Sequence, residues 1–374
     1  MPLMQRCRRV GMLVVAEGYI KAYYDDGQGL WYNQVPPDDE TLTDWDLYGV
    51  RAKEAFHLWH GGEVLVGADL DWISGSANFL SRRGIYTSFD RMTWTMFSPY
   101  GALSQIIGDK DGWHVIPSAG LRAYTHSQFD SELAPQAGIV AGYGPFEVHG
   151  NYARGVSYPG LNVAVFSSNV IPSLGDSWKK LNPETVDHFE AGASMSYEKI
   201  VRIDATYFSD YGHDRYVMYP VTGRPEGFRN YESFQIQGVE TSLTVNPIEQ
   251  LSLFTGMTYL DHNPKDLPYA PDWTLSFGGN WLFLEHFKLS ADAQYVDEMA
   301  VLSQARRQGT YNTDMVDSFW LVNAKLAFLY SLEKFGLEGE LFVAGQNLTD
   351  SDYEYRPDYP MPGINFTVGA SVAF

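Results

Sequence analysis

The chain holds 374 residues with a formal net charge of -20, one cysteine and an aromatic content of 15%. The acidic balance excludes a nucleic-acid partner, which needs clustered Lys and Arg, and Cys7 alone excludes an intramolecular disulfide or a cysteine-based metal centre. No apolar run approaches the roughly 18–20 residues of a membrane-spanning helix, so any crossing of a bilayer must be made by strands.

At the start, Arg6-Cys7-Arg8-Arg9 precedes an apolar run that only reaches the lower limit of an export-signal core, roughly seven residues. The run passes without turn chemistry into Tyr19-Ile20-Lys21-Ala22-Tyr23-Tyr24. One internal strand over Val10–Tyr24, not a signal peptide, is therefore expected. Next, His57 and His60 flank a strand end just before Gly61-Gly62, an arrangement that suits a polar turn better than a metal pair. Val64, Val66, Ala68, Leu70 and Trp72 then alternate with Gly67, Asp69 and Asp71. A period of two is the mark of a strand with one greasy and one wet face.

Weaker strand signals occupy 88–110 and 132–152. The alternation then returns clearly. Phe189, Ala191, Ala193, Met195 and Tyr197 interleave with His188, Glu190, Ser194 and Ser196, and Val201, Ile203, Ala205 and Tyr207 with Arg202, Asp204 and Thr206. Trp273, Leu275, Phe277, Trp281 and Phe283 form another such face, as do Trp320, Val322, Ala324, Leu326, Phe328 and Tyr330. The final segment sets Phe366, Val368, Ala370, Val372 and Phe374 against Thr367, Gly369, Ser371 and Ala373.

Aromatics sit near both ends of these faces, about ten residues apart, which matches a tilted strand crossing hydrocarbon. Short connections near 60–62, 142–145, 197–199, 246–250 and 285–286 alternate with long ones near 24–43, 74–90, 153–186, 209–230, 261–271, 298–316 and 349–362. Short turns on one side and long loops on the other are the asymmetry of bacterial outer-membrane barrels. The predicted fold is all-β: an antiparallel transmembrane β-barrel portion of about sixteen up-and-down strands. No linker marks a second domain. Carboxylates on the wet face, such as Asp69, Asp71, Glu190, Asp204, Glu240, Asp292, Glu338 and Glu340, suit a solvated lumen better than acid–base catalysis. No nucleophile elbow, P-loop or zinc motif is present, so no enzyme, metal site or cofactor is expected.

Four segments in order resemble the barrel of TonB-dependent outer-membrane receptors. Leu181-Asn182-Pro183-Glu184, followed by Glu190 and Gly192, looks like that family's strand entry, and Gln237-Gly238-Val239-Glu240 its mid-barrel strand. Val343 through Tyr353, with Asn347-Leu348-Thr349-Asp350, resembles the segment before its last loop. Tyr359-Pro360-Met361-Pro362-Gly363 resembles the approach to its closing strand, with Ile364 where Arg is usual. The resemblance implies the bacterial outer membrane as location and uptake of a large scarce nutrient, foremost a ferric siderophore or other metal chelate, with cobalamin or haem behind. A passive porin-like or structural barrel is the alternative. Because family barrels have about 22 strands and a lumen-filling plug, the chain reads as a C-terminal portion without plug or first strands. Its TonB contact would then be made through that plug, and its wall is expected to stay open. Lipid or lipopolysaccharide would surround it. Candidate ligand contacts lie in the outer loops, where aromatic faces accompany cations: Arg154, Tyr158, Tyr211, His213, Arg215, Tyr216 and Tyr219.

Overall fold

In the computed structural model, residues 4–11, 14–34, 39–80, 86–109, 112–165, 167, 174–221, 224–230, 233–301, 315–332, 334, 336–357 and 359–373 are described. Phe374 lies outside them. The first strands are β1 (Met4–Gly11), β2 (Val14–Gln34), β3 (Asp39–Trp59), β4 (Gly62–Leu80), β5 (Tyr86–Gln105), β6 (Ile107–Gly108), β7 (Trp113–His126), β8 (Glu132–Tyr143) and β9 (Phe146–Ser157). A helical turn, α1 (Asn162–Val165), and a 3-10 turn, Ser177–Lys180, precede β10 (Glu184–Tyr197), β11 (Val201–His213), β12 (Tyr216–Val221), β13 (Arg224–Asn230), β14 (Phe234–Ile248) and β15 (Leu251–Asn263). The chain continues through β16 (Trp273–Phe283), β17 (Phe287–Val296), β18 (Met299–Ala300), β19 (Met315–Val316), β20 (Phe319–Leu332), β21 (Leu337–Gln346) and β22 (Asn365–Ala373). Eighteen strands belong to one sheet; β12 with β13 and β18 with β19 form separate ribbons.

Two compact units are distinguished. Unit 1 comprises residues 1–141, 150–189 and 210–234. Within it β1 through β5 pair antiparallel in sequence order, and β5 and β6 both pair with β7. Unit 2 comprises 142–149, 190–209 and 235–374. There β14, β15, β16, β17, β20, β21 and β22 pair in turn, all antiparallel.

The alternation read from sequence is realised as one wet and one greasy face. Phe366 is 66% exposed, Trp281 46% and Phe328 39%. Rings this open have no protein layer over them; lipid solvates them. On the opposite face polar side chains pair across strands. Lys325 Nζ donates to Glu340 at 2.6 Å, Asn323 to Asp292 at 2.8 Å and Ser290 to Asn280 at 2.7 Å. Such pairs satisfy groups that hydrocarbon would leave bare.

The short turns fall where expected. Their left-handed positions are Gly61 (φ 73), Gly144 (φ 56), Glu198 (φ 50), Leu284 (φ 48) and Glu285 (φ 63), as tight hairpin reversals require.

Three expectations are corrected. Val10–Tyr24 is not one strand with a bare edge: β1 and β2 face each other from Met4–Lys21 to Gly11–Val14, and β2 pairs onward with β3. In the apolar run Val10–Ala16 only Gly11 is a turn residue, too weak a signal to divide the segment into two strands. The segments 24–43 and 74–90 are mostly strand, with pairing continuing to Gln34–Asp39 and Leu80–Tyr86. Above the bilayer both faces meet water, so backbone pairing persists while hydropathic alternation fades. Among the described residues the sheet holds eighteen strands where about sixteen were expected, the division of Val10–Tyr24 adding one.

Candidate functional site

The long connection after β9 folds back onto unit 1 rather than hanging free. Val163 and Ala164 of α1, Leu174, Trp178 of the 3-10 turn and Leu181 are buried with Ala77 of β4, Phe89 and Trp94 of β5, Phe129, and Phe228 of β13. Trp94 is the hub. Its ring stacks on Trp178 at 5.7 Å and meets Phe129 and His126 edge-on, each at 5.4 Å. Its indole Nε1 has no hydrogen-bond partner among the described residues.

Tyr158 closes this cluster from the side. It stacks on His126 at 4.8 Å and 17°, and its hydroxyl donates to the Asp130 carbonyl at 2.9 Å. Burial presses the His126 imidazole down to about 4. Its Nδ1 accepts the Gln128 N–H at 3.1 Å, which suits the neutral ring. Burial, reinforced by the Glu132 carboxylate, raises the Tyr158 phenol to about 12. Tyr158, one of the residues expected as ligand contacts, is thus packed against this cluster.

Three other candidates stand on the outward face. Arg154 grips Asp187 with both arms, Nε to Oδ1 at 2.9 Å and Nη2 to Oδ2 at 2.7 Å, and Tyr152 donates to the same carboxylate at 2.7 Å. Beside this, Tyr152 meets Phe189 at 4.7 Å. Phe146, Val148, Phe189 and Tyr207 alternate outward along these strands, and Arg154 and Asp187 continue the same parity. Tyr211 and His213 continue it along β11, in edge contact at 4.6 Å. On the inward face, His188 meets Asp210 at 2.6 Å.

Arg215 and Tyr216 follow the end of β11. The Arg215 guanidinium lies 5.9 Å from the Phe234 ring centre, and Tyr216 packs partly against the buried cluster. Burial raises the Glu184 carboxyl, with Arg215 acting against it. Tyr219 lies in β12, and its side chain falls outside those described. The seven candidates therefore divide between a packed cluster, an outward wall and the start of the β12–β13 ribbon. Trp94, His126, Phe129 and Trp178 were missed because they are scattered along the chain at strand ends, where no period gathers them.

Deeper on the inward face of unit 1, Arg122 pairs with Asp69 at 2.6 Å and Ser98 at 2.8 Å. Its guanidinium lies 5.1 Å from the centre of Tyr100 and 4.9 Å from that of Tyr124. Tyr23 donates to Asp71 nearby. Among the described residues, no group of three or more His, Cys, Asp or Glu is placed to hold a metal ion.

Residues 14–348 match the family described as TonB dependent receptor-like, beta-barrel. Solved structures share the fold at low identity. A copper transporter, OprC, superimposes with a TM-score of 0.74 at 13% identity over 99% of this chain and 64% of its own. FpvA of P. aeruginosa, solved bound to heterologous pyoverdines, gives 0.70 at 10% over 97% and 54%. The E. coli ferric-catecholate import receptor Fiu gives 0.67 at 12% over 99% and 63%. The chain thus spans less than two thirds of each.

Proposed function

The chain belongs to the TonB-dependent receptor-like β-barrel family of the bacterial outer membrane, and from that premise we propose that it is the barrel part of a receptor importing a scarce metal chelate. The observation that carries this reading is the family match across residues 14–348. A ferric siderophore is the first choice of ligand; cobalamin and haem rank behind it. Support comes from proteins of related fold: a copper transporter, a receptor solved with bound pyoverdines and a ferric-catecholate import receptor.

On this reading the loop cluster around Trp94 and Trp178 holds the mouth in shape. Arg215 and Tyr216 face the ligand, with Tyr219 as the third candidate of that ribbon. Aromatic faces beside a guanidinium suit a flat, polar chelate. Import would draw energy from the TonB system through a plug supplied by polypeptide outside this barrel part.

The test is uptake of radiolabelled ferric chelates by cells with and without the gene, and by cells lacking TonB. Loss of uptake of one chelate in both mutants is expected. Uptake indifferent to TonB, with steady ion conductance of the purified protein in planar bilayers, would instead identify a passive porin.

A further inference from the structure

Near the end of β15 in unit 2, Tyr259 meets Trp273 on the outward face at 4.6 Å. By parity His262 turns inward, and it is 5% exposed. Both of its ring nitrogens meet oxygen. Nδ1 lies 3.1 Å from the carbonyl oxygen of Pro264, and Nε2 lies 3.1 Å from Oδ1 of Asp272, just before β16. A carbonyl accepts hydrogen bonds, and so does an ionised carboxylate. A neutral imidazole carries one N–H and can serve one of the two. Serving both takes a second proton, held between Nε2 and Asp272.

These contacts fasten both ends of the β15–β16 loop. The Asp272 carbonyl accepts the Leu260 N–H at 2.9 Å, and the Pro264 carbonyl also accepts the Leu267 N–H at 3.2 Å. Between them Leu267 is buried, and the Tyr269 N–H reaches the Ala300 carbonyl of β18 at 2.8 Å. The loop thereby rests on the β18–β19 ribbon, where Met299, Val301 and Val316 are buried together.

The other charged groups nearby are spoken for or turned away. Asp261 has the opposite parity and is held by Lys265, and by Gln237 at 2.9 Å. Asp266 is buried within the loop. Asp297, after β17, accepts from the Tyr295 hydroxyl at 2.8 Å and the Glu298 N–H at 3.0 Å. β14 sets Ile236 opposite His262, with Gly238 next on that face. A polar pocket of about 190 Å³, lined by Gln235, Gln237, Asp261, His262, Asn263 and Lys265, has room for the water that proton exchange needs.

We propose that His262 and Asp272 form a proton-operated latch on the β15–β16 loop, closed while the proton sits between them and released when it leaves. Its loss sets a nitrogen lone pair against a carboxylate, and the two repel. Closure binds a proton that the open loop gives up, so the latch weakens as pH rises across the range in which histidine changes charge, about pH 5 to 8. This goes beyond the transport reading and requires neither ligand nor plug.

The test is hydrogen exchange read by mass spectrometry on the full chain in mild detergent, corrected for the intrinsic pH dependence of amide exchange. From about pH 5 to about pH 8, protection of the 264–271 segment should fall roughly tenfold, the scale of one charge-assisted hydrogen bond. The β16–β17 hairpin serves as the internal reference and should not change. His262→Gln should protect the segment poorly and equally at both ends of the range. Asp272→Asn offers the neutral Nε2 a hydrogen of its own, so it should keep the loop closed throughout. A merely structural contact would alter the level of protection and leave its pH dependence alone. Protection independent of pH in wild type would overturn the proposal, as would a pH dependence that persists in either variant. Asp272 is half exposed, so its variant carries the comparison should His262→Gln fail to fold. Uptake assays do not enter the measurement, so its failure and that of the transport reading are separable.

Discussion

Trp94 and Trp178 stack with centroids 5.7 Å apart and planes inclined by 29°, although β5 holds one and a 3-10 turn beyond β9 holds the other. The pair fastens the long loop of unit 1 to the upper part of its hairpins. Both indoles are almost fully buried, so their loss should be felt locally and strongly.

Trp178→Ala is expected to remove about 3–5 kcal/mol of loop anchoring. The neighbouring Lys179 and Lys180 are exposed, so trypsin should cut there much faster than in wild type. Barrel folding, read as heat-modifiable gel mobility, should survive. An unchanged cleavage rate would show that other contacts hold the loop.

The buried His126 imposes a pH dependence on that anchoring. Its folded value of about 4 lies below the ordinary value near 6.5. The unfolded loop therefore takes up a proton that the folded one refuses. Stability is fully present above about 6.5, declines as pH falls toward 4, and stops declining below that. Glu184, raised by its own burial, contributes the opposite slope. The difference between wild type and His126→Phe in tryptophan-fluorescence melts from pH 7 to 4 isolates the histidine, and the variant should lose the decline.

Asn347 should prove the keystone of the last long loop. It is buried, sits at φ 49, accepts the Ser351 N–H at 2.9 Å and donates to the Ser351 carbonyl at 2.9 Å and that of Pro362 at 3.3 Å. Asn347→Gly keeps the left-handed backbone and removes these bonds together with the one that Thr349 Oγ1 donates to Oδ1 at 3.3 Å, at about 1–3 kcal/mol. Hydrogen exchange at Ser351 and Ile364 should accelerate accordingly. Asn347→Ala should fare worse, since alanine resists positive φ.

Val368 lies mid-strand in β22 and is 79% exposed. Val368→Arg should cost about 2–4 kcal/mol of membrane insertion. Thr367→Arg, on the wet face, should be tolerated. Fractionation of cells into soluble and outer-membrane pools measures both.

The lipid-facing register was legible because lipid imposes it. Phe277, Trp281, Leu326 and Phe328 each had to alternate, and the structure keeps every one on the exposed face. The signature around Asn347 was legible as a resemblance, and its hydrogen bonds give it a physical cause. Elsewhere the signal was absent. Gly27, Gln28 and Gly29 of β2 pair with Trp45, Asp44 and Thr43 of β3 without an apolar stripe of their own to announce the strand, because backbone hydrogen bonds hold a strand in water without one. Arg154 looked like a loop cation because its segment is rich in Gly and Pro. Only its opposition to Asp187 shows which way it faces.

The 21-residue strands β2 and β3 are about twice as long as the 9–11 residues that a crossing demands. Their distal halves can therefore drift in evolution, but only under a parity rule. Adding two residues to each arm of a hairpin lengthens the rim and preserves every outward side chain, whereas a single insertion nearer the short turns inverts all that follow. Homologous rims should differ in height by even steps, with odd ones absorbed at bulges such as the one between Trp31 and Gln34.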